Sequence, residues 1–202
     1  MEFAVAYEVE MKFPAADRAA LESRLVDLGA KIGAPQSERD VYFAHPARDF
    51  AKTDEALRIR RKGDCPNCRL SENETVPLDA TSNFITYKGP KIDAVTKTRR
   101  EIELPLPPGE PSAQAWTELI EALGFTAVGE VSKSRRKAHV DWQGRSIEIS
   151  LDEVAGLGVF VELELMAEAE ELDVARASIR SLAETLGLKG SERRSYLELL
   201  KG

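Results

Sequence analysis

Hydrophobic and polar residues alternate with period two along much of this chain, and the polar face is repeatedly charged. In the first such run Val5, Tyr7, Val9, Met11 and Phe13 fall on one face of a strand, with Glu8, Glu10 and Lys12 on the other. The alternation predicts strands near 3–13, 38–44, 56–62, 83–88, 95–104, 129–141, 145–152 and 158–166. Helical spacing predicts a helix over 15–28, a second from a Ser112 cap to Leu123, a third over 170–186 and a short one over 191–200 beginning at Ser191. Leu21, Leu25 and Leu28 share one stripe of the first helix, and Gly29, Gly124 and Gly187 stop the first three. Pro105, Pro107, Pro108 and Pro111 separate the fifth strand from the second helix.

The order suggests an internal duplication, because each half reads strand, helix, then three strands. Leu28-Gly29 and Leu123-Gly124 fall equally far after Glu8 and Glu103. Two four-stranded halves could close one antiparallel barrel, which removes edge strands. The expected fold is therefore α+β, a closed eight-stranded antiparallel barrel with helices packed outside. No Gly-, Ser- or Pro-rich linker divides the chain, so one domain over 1–202 is expected, with 63–82 as a polar loop insertion.

The later strands repeat the charged face. Arg58, Arg60 and Lys62 alternate with Leu57 and Ile59, and Thr86 and Lys88 with Ile85 and Tyr87. Lys97, Arg99, Glu101 and Glu103 share a face, as do Lys133, Arg135, Lys137 and His139. Glu148, Ser150 and Asp152 oppose Ile147, Ile149 and Leu151, and Glu162 and Glu164 oppose Val161, Leu163 and Leu165. Periodicity leaves two placements open. Either the charges face solvent around an open sandwich, or they line the lumen of a closed barrel while helices cover its apolar outside. In the second case the cost of buried charge implies a polyanionic ligand with bound cations. Lys and Arg would match a triphosphate, and the carboxylates would supply oxygen ligands for Mg²⁺ or Mn²⁺ bridging to phosphate.

Composition narrows the classes. The chain has 202 residues, 43% hydrophobic and 31% charged, enough for a globular core. A net charge of -7 argues against non-specific binding to nucleic acid or an anionic membrane. No apolar run approaches the ~20 residues that span a bilayer, and no export signal is legible, so a cytoplasmic protein is expected. A Walker-type phosphate loop is missing, and Gly156-Leu157-Gly158 reads as a turn rather than a dinucleotide fingerprint. Cys65 and Cys68 lack a second Cys or His pair; a reduced loop pair is expected, with zinc shared across a dimer as the alternative. His45, just before Pro46, reads as structural, with a nucleotide-base contact as its alternative.

Glu8-Val9-Glu10-Met11-Lys12 resembles the ExExK signature of the CYTH, or triphosphate tunnel, superfamily. Longer stretches resemble its class IV adenylyl cyclase branch: 45–50 running on through 53–60, Thr86-Tyr87-Lys88-Gly89-Pro90-Lys91, 96–103, 151–164 and Ser195-Tyr196-Leu197-Glu198-Leu199-Leu200. The resemblance runs in order through almost the whole chain. It implies an eight-stranded tunnel that binds triphosphates with Mg²⁺ or Mn²⁺, two ions in the cyclase reading. It also implies Glu8, Glu10, Asp152, Glu162 and Glu164 as metal-facing carboxylates. Lys12, Arg58, Arg60, Lys88, Arg99, Lys133 and Arg135 would bind the phosphates, with Lys12, Arg58, Arg60 and Lys88 also serving catalysis. The implied activity is conversion of ATP to cyclic AMP and pyrophosphate. Alternatives are a triphosphatase acting on inorganic or thiamine triphosphate, and a non-catalytic nucleotide or polyphosphate sensor. A homodimer is also implied. The insertion bearing Cys65 and Cys68 departs from the family's tighter connection and leaves the surroundings of Lys62 open.

Overall fold

The computed structural model describes residues 7–64, 82–93 and 96–202; Val5, Cys65, Cys68 and the rest of the insertion through 81 lie outside them. Eight strands form the sheet: β1 Tyr7–Pro14, β2 Gln36–Ala44, β3 Ala56–Asp64, β4 Ser82–Lys88, β5 Arg99–Leu106, β6 Thr126–Trp142, β7 Arg145–Val154 and β8 Gly158–Ala167. The helices are α1 Arg18–Asp27, α2 Phe50–Thr53, α3 Glu110–Ala122, α4 Leu172–Thr185 and α5 Tyr196–Lys201, with a 3₁₀ turn over Ala169–Glu171.

The strands close into a barrel in the order β1-β5-β4-β3-β2-β6-β7-β8, every neighbouring pair antiparallel. The element order of the two halves matches the expected duplication, but the halves are not side by side. Each half's first strand crosses over: β1 pairs with β8 from Tyr7↔Ala167 to Pro14↔Phe160, and β5 pairs with β4.

Alternation now has a physical destination on both faces. Val9, Met11 and Phe13 of β1 join Ala138, Val140, Ile149, Leu163 and Leu165 outside the barrel, under Leu21 and Leu25 of α1 and Ile179 and Leu182 of α4. Each fully buried Leu or Ile in this layer contributes about 1.5–3 kcal/mol. A second apolar layer sets Ala113 and Ile120 of α3 against Phe43 and Ile59. Tyr42, Val131, Val154 and Phe160 gather with Tyr196 where α5 meets the barrel.

Two helix starts differ from expectation. α3 begins at Glu110 rather than after a Ser112 cap, because Gly109 (φ 86) makes the turn and Pro111 sits in the first turn. α5 begins at Tyr196, not Ser191. Ser195 forms a reciprocal capping box with Glu198, whereas the Glu192 N–H is already bonded to the Lys12 carbonyl at 2.7 Å. The single-turn helix α2, capped by Asp49, was not anticipated. Among the described residues no helix is long and apolar enough to cross a membrane.

Candidate functional site

The charged faces line the inside of the barrel, around a continuous cavity of about 630 Å³, in the range that holds a nucleotide-sized ligand. Basic side chains outnumber acidic ones along its wall although the chain is net acidic. Three groups of ion pairs organise that wall.

The first lies on β2 and β3. Arg60 grips Asp40 through Nε and Nη2, both at 2.6 Å, and Arg58 Nη1 reaches the same carboxylate at 3.1 Å. Burial alone would raise the Asp40 pKa, but the two guanidiniums outweigh it and hold it at about 2. Glu38 binds Arg60 at 3.1 Å and Lys133 at 3.2 Å, and is likewise held well below the carboxylate range against its burial.

The second group spans β6, β7 and β8. Asp152 accepts two bonds from Arg135, at 2.6 and 2.5 Å, one from Lys133 at 3.4 Å and one from the Tyr196 hydroxyl at 2.9 Å. Arg135 also bonds Glu162 at 2.5 Å. The Tyr196 ring lies 4.0 Å below the Lys12 ammonium and 5.3 Å from that of Lys133, measured to its centroid. Its phenol is pushed well up by burial and by the Glu162 and Asp152 charges, which keeps it a donor.

The third joins β1, β4 and β5. Lys88 bridges Glu8 at 2.9 Å and Glu101 at 2.5 Å. Burial raises Glu8, and a hydrogen bond to Glu101 adds to the rise; Lys88 opposes it and helps hold Glu101 at about 2 despite that group's own burial. The two carboxyl groups are thus pushed in opposite directions beside one ammonium. Lys97 bonds Glu10 at 2.5 Å. Lys12 donates to the Arg194 carbonyl at 2.5 Å, and burial together with the Lys97 charge lowers its pKa to about 7.

Most cations and anions of the lumen thus pair with one another. Two groups are left over. Arg99, buried and lining the cavity, has no hydrogen bond or ion pair among the described residues, and its Nε is fully shielded from water. Glu164 also lines the cavity without a partner. Burial raises its pKa well above the usual range, and the Glu8, Glu162 and Glu10 charges add to the rise against the opposing pull of Arg135. It stands directly across the β1–β8 ladder from Glu10.

The structure therefore brings together in one wall Glu8, Glu10, Lys12, Arg58, Arg60, Lys88, Arg99, Lys133, Arg135, Glu162 and Glu164. Asp152 is not part of the lining; it is 0% exposed and underlies Arg135 and Lys133. Among the described residues no three His, Cys, Asp or Glu side chains already converge as a metal shell. The donor chemistry is nonetheless that of a hard divalent cation: Glu164 makes no hydrogen bond or ion pair among the described residues, and the charges of Glu8, Glu162 and Glu10 lie near enough to raise its pKa, although each of those three is itself paired with a Lys or Arg. His139, the one histidine on a charged strand face, is exposed at the rim beside Glu148 and outside the cavity lining.

Several interior residues were missed as site residues: Glu38, Asp40, Lys97, Glu101 and Tyr196. For Lys97 and Glu101 the period-two signal was present. Glu38 and Asp40 flank Arg39, which pairs on the outside with Glu130, so that stretch shows no contrast between faces.

Comparison with known proteins agrees with this geometry. The CYTH domain family model matches residues 6–196. A candidate adenylate cyclase from Methanocaldococcus jannaschii is 35% identical over 196 residues, 95% of this chain and 97% of that protein. A solved structure of a Pyrococcus horikoshii OT3 protein is similar with a TM-score of 0.78 and 38% identity, covering 96% of this chain and 98% of that one. A candidate adenylyl cyclase from Hippeastrum, described as having a dominant triphosphatase activity, reaches a TM-score of 0.58 at 16% identity over 97% of this chain and 95% of that one, a likeness of fold alone.

Proposed function

The chain belongs to the CYTH domain family, and on that footing we propose that it is a metal-dependent adenylyl cyclase converting ATP to 3′,5′-cyclic AMP and pyrophosphate within the barrel. The observation that carries the proposal is the pair left over in the lumen: a buried guanidinium, Arg99, and a half-buried carboxyl, Glu164, whose side chains make no hydrogen bond or ion pair among the described residues. A triphosphate supplies the anion that the first lacks, and Mg²⁺ or Mn²⁺ the cation that the second lacks.

In this reading Arg99, Lys133 and Arg135 hold the phosphate chain. Arg58 and Arg60, kept taut by Asp40, turn their remaining N–H groups toward it. Glu8, Glu10, Glu162 and Glu164 would hold the metal, with Asp152 fixing the cations behind them. When bound there, a divalent cation would lower the pKa of the ribose 3′-hydroxyl and offset charge on the phosphates. The 3′-hydroxyl would give up its proton to solvent water, its oxygen bonding to the α-phosphorus as the bond from that phosphorus to the α–β bridging oxygen breaks and pyrophosphate leaves. Lys12 and Lys88 stabilise the charge that accumulates on the leaving group.

Purified protein incubated with ATP and Mg²⁺ or Mn²⁺ is expected to give cyclic AMP and pyrophosphate in equal amounts, followed by chromatography. Orthophosphate without cyclic AMP would refute the cyclase and favour a triphosphatase. That second reading draws on the Hippeastrum fold relative, and the same cations and carboxylates would then serve attack by water on the terminal phosphorus.

Lys12 gives a test of phosphate binding that does not depend on turnover. With its pKa lowered to about 7, it is mostly unprotonated at pH 8. A polyanion beside it restores the charged form, so binding takes up protons at that pH. Calorimetry with tripolyphosphate and a chelator, in buffers of different ionisation enthalpy, is expected to show uptake approaching about one proton. Lys12→Met should abolish the uptake; equal uptake in that variant would place the phosphates elsewhere.

A further inference from the structure

One end of the cavity differs in chemistry from the rest. Ala44, His45, Phe50, Val128 and Leu197 line it, adding apolar and aromatic side chains to a wall to which the same loop also brings Arg48, Asp49 and Glu55. His45 follows Tyr42 along the chain, and Tyr42 pairs across β2–β3 with Arg58. Three residues of extended chain place the imidazole about 10 Å beyond the Arg58 level. A phosphate chain held at Arg58 and Arg60 would therefore direct whatever it carries into this end of the cavity.

The imidazole itself is fixed. Its Nδ1 accepts the backbone N–H groups of Ala47 and Arg48, both at 3.0 Å. The ring is clamped between Phe50, at 5.4 Å, and the edge-on Phe125, at 5.0 Å between centroids. Because Nδ1 accepts twice, the hydrogen resides on Nε2. That Nε2–H meets no acceptor among the described residues, and the ring lines the cavity.

We infer that His45 determines specificity for the organic end of the ligand: Nε2–H donates to an acceptor on the heterocycle of a nucleoside triphosphate, which lies against Phe50, Val128 and Leu197. This rests on the tunnel binding a triphosphate, but not on which phosphorus is attacked. Inorganic triphosphate has no group that reaches this donor. The loop bonds made by Nδ1 and the contact made by Nε2 are separate duties of one ring, and a substitution can separate them.

His45→Asn places an amide oxygen where Nδ1 was, preserving the acceptor for Ala47 and Arg48 while removing the Nε2 donor. Binding of a non-cleavable α,β-methylene ATP analogue and of tripolyphosphate, each with Mg²⁺, would be measured by calorimetry on parent and variant. The analogue is expected to bind about five- to tenfold more weakly to the variant, with tripolyphosphate affinity and the thermal unfolding midpoint unchanged. Unchanged analogue affinity overturns the inference. So does an equal loss for both ligands, which would make His45 a loop support only, and so does a parent that binds tripolyphosphate but not the analogue. A failed cyclase reading appears elsewhere, as missing cyclic AMP in the product assay with this selectivity intact.

Discussion

Glu164→Gln is expected to lower metal-dependent turnover by about a hundredfold or more while leaving the barrel at least as stable as the parent. The two halves of that outcome come from one fact. Glu164 has no protein partner among the described residues, so its replacement breaks no bond within the fold. Its ionised form is instead opposed by burial and by three neighbouring glutamates, which together outweigh the pull of Arg135. An acid whose pKa is raised in the folded state binds its proton more tightly there than in the unfolded chain. Stability therefore falls as pH rises from the unfolded value, about 4.5, toward the raised folded value. The glutamine variant lacks that loss. With a chelator present, its unfolding midpoint should match the parent's near pH 4 and exceed it progressively toward neutrality. Turnover measured across Mn²⁺ concentrations gives the other half. Full activity in the variant would remove Glu164 from the metal site.

Asp152→Ala is expected to act in the opposite way, destabilising first. The carboxylate is wholly buried and accepts four bonds, from Arg135, Lys133 and Tyr196. Removing one member of a buried ionic network leaves its partners charged and undersolvated, a cost of about 3–5 kcal/mol. In a domain of this size that lowers the melting temperature by about 10 °C. Turnover should fall as well, by about ten- to a hundredfold, because Arg135 and Lys133 lose the group that aims them. Asp152→Asn retains part of the network and should fall between. A melting temperature within 2 °C or so of the parent would show that the remaining partners, Glu162 and Glu38, suffice for those cations.

The parity of the strands other than β2 was legible in the sequence, because a pleated chain must send alternate side chains to opposite faces. Which face was inside was not. Val9 and Glu10 are both buried, one beneath α1 and α4 and the other in the lumen, so no solvent-facing side exists to mark the difference. The likeness of the ExExK run and of the later stretches to a known family resolved what periodicity left even. Glu38 and Asp40 escaped notice because Arg39 between them is also charged. Tyr196 escaped for another reason. Its place under Lys12 and Lys133 depends on α5 docking at the barrel end, a contact between residues far apart in the chain. The start of α5 was readable: Ser195 is followed three residues later by Glu198, whereas Ser191 is followed by Arg194.

The crossed pairing of first strands has a bearing on how the chain is made. Both neighbours of β1 lie in the second half, so Glu8, Glu10 and Lys12 have no sheet to join while the first half leaves the ribosome. The lumen cannot seal until the chain has been synthesised through Ala167. Until then Glu10, Glu38 and the cations of β6 lack part of their pairing, because Lys97, Lys133, Asp152 and Glu162 come later in the chain, whereas Asp40 can already meet Arg58 and Arg60 across β2–β3. The β1–β8 seam, where Glu10 stands across from Glu164 and Lys12 from Glu162, is thus the part of the lumen whose burial waits for the last strand.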